Sequence, residues 1–117
     1  MASNRGHQRE RDLVNRLRED GWFALRAPAS LGVADVVALK DGRRPALIEV
    51  KSTTRSAISG FPPIDRAELL EAATAAGADA WLYWHPLRKG PSWIAPHKWP
   101  QTDWRGYEPR TQDVPML

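Results

Sequence analysis

No cysteine occurs among the 117 residues. That absence excludes disulfides and any zinc site built on thiolates, and it fits a reducing compartment. No apolar run approaches the roughly 18 residues that a membrane helix needs. The first twelve residues, "MASNRGHQRERD", are polar and charged, unlike a secretory signal. Histidine is scarce: His7, His85 and His97 lie far apart, which argues against a histidine-based metal centre or a nucleophile activated by imidazole. Acid does not dominate either. The net charge is +3, a mild lean toward polyanions. An intracellular, cytoplasmic protein without a membrane partner is the expectation.

The hydrophobic fraction of 42% suffices for one compact core in a chain of this length. The spacing predicts a helix over about residues 8–20, with Leu13, Val14 and Leu17 as its apolar stripe and Gly21 as its stop. "WFALRA" reads as a strand and "PASLG" as a loop. "VADVVAL" and "PALIEVKS" read as two further strands, joined at Asp41-Gly42 by a hairpin signal. "TTRSAISGFPP" reads as a loop. Asp65 with Glu68 resembles a capping box opening a helix that runs to about Ala76, with Gly77 following. "DAWLYWH" and "SWIA" complete five strands. Four of the six tryptophans fall between Trp81 and Trp99, read mainly as core, with a dimer surface as the alternative. Residues 97–117 show no periodicity and read as an irregular surface tail beyond a domain of residues 1–96. The order implies a mixed sheet, antiparallel at the hairpin and parallel where a helix carries the chain over.

The third strand, "ALIEVKST", raises a question of charge. Ile48 and Val50 point into the core, so Glu49 and Lys51 share the other face, roughly 6.5–7 Å apart at Cα. In the adjoining strand stands Asp35, which pairing through the hairpin brings close to Glu49. Glu10 lies three and four residues before Leu13 and Val14, on the inward face of the first helix. Carboxylates brought together repel unless a cation or a proton intervenes. A hard divalent ion suits them, since Mg²⁺ takes oxygen ligands and is held by one or two carboxylates. A lysine beside it can orient a water or stabilise charge on phosphorus. The alternative for the triplet alone is a solvated Glu–Lys pair.

Quoted in order, "RGHQRERDLVNRLREDGWFALRAPAS", "ADVVAL", "ALIEVKST" and "GADAWLYW" resemble the archaeal-type Holliday junction resolvases, within the PD-(D/E)xK nuclease superfamily. The resemblance implies a restriction-endonuclease-like α/β fold with a central mixed five-stranded sheet flanked by helices. It implies a Mg²⁺-dependent endonuclease, with Mn²⁺ as substitute and no nucleotide cofactor. A homodimer would cut branched DNA by paired symmetric nicks, in a bacterial, archaeal or phage setting. Glu10, Asp35 and Glu49 match the metal-binding acids, Lys51 the catalytic lysine and Ser30 the active-site loop serine. Arg26 matches a basic residue at the DNA backbone, and Arg5 and Gly6 stand where phosphate is touched. Arg9 and Arg55 join them as DNA contacts by position. Ala34 stands where the superfamily name has proline, and the tail after Pro96 exceeds the expected family length. Two other readings stay open: an endonuclease acting on other DNA in repair or restriction, and a nucleic-acid-binding module without catalysis.

Overall fold

The computed structural model describes residues 4–27, 33–103, 107 and 114–115, without the side chains of Asn4 and Arg5. Helix α1 spans Asn4–Glu19 and is followed by β1 (Phe23–Arg26), β2 (Val36–Leu39) and β3 (Ala46–Lys51). Helix α2 (Pro63–Ala76), β4 (Asp79–Trp84), β5 (Ser92–Ile94) and a short 3-10 turn, Pro96–Lys98, complete the order. The strands lie side by side in sequence order. Pairing is antiparallel except between β3 and β4, where the chain crosses over through α2.

Alternation along the strands divides the core in two. On one face Ala24, Val36, Ala38, Ile48, Val50, Trp81 and Tyr83 pack against Leu13, Val14 and Leu17 of α1. On the other, Ala80 and Leu82 pack with Phe61, Leu69, Leu70 and Ala73, the loop before α2 and the helix itself. Helix α2 stops where Gly77 takes φ +64, a conformation open to glycine at little cost, and its N–H reaches back to the last turn.

Three expectations need correction. Helix α1 begins at Asn4 rather than near residue 8. Helix α2 begins at Pro63 behind Pro62, with no side-chain cap, so Asp65 and Glu68 do not form a capping box. The pre-set φ of proline starts this helix instead. Nor does the described part of the tail merely rest on the surface. Trp99 and Tyr107 are buried, the Ala80 N–H donates to the Tyr107 hydroxyl at 2.9 Å, and the Trp22 indole donates to the Pro115 carbonyl at 3.2 Å. The tryptophan cluster belongs to this packing: Trp81 is buried, with Trp93 edge-on to it at 5.8 Å between ring centroids.

Candidate active site

The register of β2 on β3 builds the site. Val36 stands opposite Ile48, and the Asp35 N–H donates to the Ile48 carbonyl at 2.9 Å, so the antiparallel pairing continues past the end of β2. Asp35 therefore stands beside Glu49. Its carboxylate accepts the Val50 N–H at 2.8 Å. One residue further on, Lys51 Nζ lies 3.0 Å from a Glu49 carboxylate oxygen. The positions singled out in the two strands thus meet on the α2 face of the sheet.

Electrostatics set this cluster apart. Burial pushes the Glu49 carboxyl up to about 7, helped by the nearby Asp35 charge and opposed by Lys51. Asp35 is raised too, chiefly by burial and then by the charge of Glu10, against the pull of its Val50 hydrogen bond. Two acids that both resist ionisation make a place where a cation is favourable. Their hard oxygens suit a divalent ion of the magnesium type, and the space beside them is a cavity of about 200 Å³ lined by Val33, Asp35, Glu49, Asp65 and Glu68.

Glu10 stands on the other side. It projects from α1, is buried, and accepts the Arg26 guanidinium at 3.1 Å. Arg26 closes β1 on the α1 face. The structure brings these two together, and Glu10 reaches Asp35 through its field. Among the described residues no three acid or histidine side chains are grouped to hold one ion. Of the three acids singled out in the sequence, Asp35 and Glu49 line the cavity.

The remaining positions scatter around this centre. Arg9 reaches the Pro86 carbonyl at 3.4 Å, and its Nε is buried without a hydrogen-bond partner among the described residues. Gly6 lies in the first turns of α1. Arg55 is exposed in the loop after β3. That loop contains Gly60, whose φ of +79 suits glycine and whose Cα faces Lys51: a β-carbon there would lie 3.9 Å from the amine. Ser30 and the Arg5 side chain lie outside the described residues. Sequence reasoning missed Asp65 and Glu68 as lining residues. Their spacing of three, which places both on one face of a helix, was the available signal.

The family described as archaeal Holliday junction resolvase (Hjc) matches residues 1–112. The chain belongs to this family. As an Hjc-family member it is a junction-resolving endonuclease with the restriction-endonuclease-like fold. The match runs well into the tail, so most of the segment after Pro96 falls within the family's extent. Among solved structures the chain is similar to Hjc of Archaeoglobus fulgidus, a Holliday junction resolvase from an archaeal hyperthermophile. The two share 27% identity with a TM-score of 0.64, over 80% of this chain and 75% of that one. No curated protein matches the sequence significantly. Among the described residues no helix is long and apolar enough to cross a membrane.

Proposed function

We propose that this resolvase cuts four-way DNA junctions by paired symmetric nicks, using a divalent cation, Mg²⁺ or Mn²⁺, at Asp35 and Glu49. The observation that carries the proposal is the packing of two ionisation-resistant carboxylates and one ammonium beside a single cavity. A cation bound there supplies Lewis acidity toward a phosphate oxygen and makes water more acidic. The chain's own groups do the rest. Asp35 is fixed by the Val50 amide, so its carboxylate is aimed rather than mobile. Lys51 keeps Glu49 ionisable near neutral pH, and its ammonium stands where charge gathers on the phosphoryl group during attack by water. Glu10 serves from across the sheet, holding Arg26 in place and adding negative potential at Asp35.

DNA enters along the basic residues Arg26 on β1, Arg9 on α1 and Arg55 on the loop after β3, with Arg5 and the Gly6 backbone joining them by position. These contact phosphates, so recognition rests on junction shape rather than on base edges. Ser30 is proposed as the loop serine beside the site. Residues 1–96 form the nuclease domain, with 97–117 as its C-terminal extension. The described residues of one chain hold one carboxylate–lysine cluster, while resolution needs two cuts, so the working unit is a homodimer in the cell interior. Phe23, Leu25 and Leu39 are exposed on the sheet face beside α2 and supply an apolar surface for the second copy.

The test is incubation of labelled four-way junction and matched linear duplex with Mg²⁺ or with EDTA. Symmetric paired nicks on the junction alone, only with Mg²⁺, are expected. Equal cutting of linear duplex would assign the fold to another nuclease task, and no cutting with any divalent ion would leave a binding module.

A further inference from the structure

Two of the four acids lining the cavity come from neither strand. Asp65 and Glu68 project from the start of α2, three residues apart and so on one helical face. Both are exposed, and among the described residues neither forms an ion pair. A first-turn acid offsets the positive end of a helix, which accounts for Asp65 by itself. It does not account for Glu68, which lies a turn further on. Nor does it explain why both acids border the space occupied by Asp35 and Glu49 rather than open solvent. Left without a counter-ion, four carboxylates around about 200 Å³ repel one another.

We infer that Asp65 and Glu68 form an outer acidic rim of the cation site, accepting hydrogen bonds from the hydration shell of an ion ligated directly by Asp35 and Glu49. The inference rests on the cation reading above and adds residues to it. Mg²⁺ dehydrates reluctantly and keeps several waters, so carboxylates too distant to ligate still bind it through those waters. The rim raises cation affinity by charge and by orienting water. It leaves the approach to phosphorus to Lys51.

Mn²⁺ binding to the full chain, followed by loss of the free-ion EPR signal at about pH 8, tests this independently of cleavage. The double variant D65N/E68Q is expected to bind Mn²⁺ about tenfold more weakly than wild type, with the gap closing near roughly 1 M salt. D65E/E68D should restore most of the affinity, which a loss of helix packing would not allow. E68Q alone, outside the first helical turn, should show part of the same loss. Affinity unchanged in D65N/E68Q, with D35N losing binding, would overturn the rim and leave the inner site standing. Wild-type affinity in D35N, or no binding by wild type, would overturn both.

Discussion

The Asp35 carboxylate accepts the Val50 backbone N–H at 2.8 Å, between the two residues whose side chains complete the cluster. One acid is thereby locked to the strand that carries the other. The bond uses one oxygen, so the two functions of Asp35, bracing and ion binding, can be separated. Asp35→Asn keeps an acceptor for Val50 but loses the charge. Cleavage is expected to fall about 10²-fold or more while thermal stability holds. Asp35→Ala also leaves the Val50 amide unpartnered and should cost a further ~1–3 kcal/mol in denaturant unfolding. Equal stability of the two variants would mean the hydrogen bond carries no weight.

The raised Glu49 carboxyl makes stability pH-dependent in a definite direction. In the unfolded chain this group ionises near its ordinary value of 4.5; in the fold it holds its proton to about 7. Its contribution is therefore full below pH ~4.5 and is lost as pH rises through about 7, because the native state binds the proton more tightly. Without divalent ions, the melting temperature should decline across that window. Glu49→Gln should flatten the decline and stabilise the protein at pH 8, by an amount on the order of 1–3 kcal/mol. Mg²⁺ should raise the melting temperature more at pH 8 than at pH 5. An identical Mg²⁺ effect at both would contradict ion binding at Glu49.

Lys51 lowers the proton affinity of Glu49, both by its charge and by a hydrogen bond. Lys51→Met should thus do more than remove an ammonium from the reaction. The acid limb of the cleavage pH profile should move toward higher pH, alongside a drop in maximal rate. A drop in rate with an unmoved profile would confine the lysine to the phosphoryl group.

Arg26 and Glu10 are coupled across the end of the sheet at 3.1 Å. Glu10 is buried, whereas Arg26 keeps about a third of its side chain in water. Arg26→Ala strands the carboxylate and should cost ~1–2 kcal/mol, while Arg26→Ala with Glu10→Ala should cost less than the sum of the two singles. The arginine also counts as a phosphate contact. Junction affinity of Arg26→Ala should fall with a shallower salt dependence than wild type, roughly one ion fewer in the slope.

How much of this was readable beforehand differs by element. Strand β3 announced itself, because a period of two puts Ile48 and Val50 inward and leaves Glu49 and Lys51 together. The nearness of Asp35 followed from the Asp41-Gly42 turn, which fixes the register of β2 on β3. Glu10 was legible as inward-facing, yet its engagement by Arg26 needed coordinates, since nothing local joins a helix to the end of a strand. Asp65 and Glu68 were misread: acids three apart fit both a capping box and a cavity wall, and only the true helix start at Pro63 separates the two. The first turn of α1 was hidden by its polar "NRGH", which carries no apolar period. Trp99 and Tyr107 were hidden in another way. A tail anchored by single aromatic residues, each docked in its own place, leaves no repeat to read.

The position of β3 between β2 and β4 has a bearing on biosynthesis. A chain emerging from the ribosome carries Glu10, Asp35, Glu49 and Lys51 within its first half. The parallel neighbour that holds their strand in place arrives only after α2 has been made. The acids and the lysine are thus all made before the strand that fixes their register on the parallel side, and their cluster takes its final form only once β4 has been added.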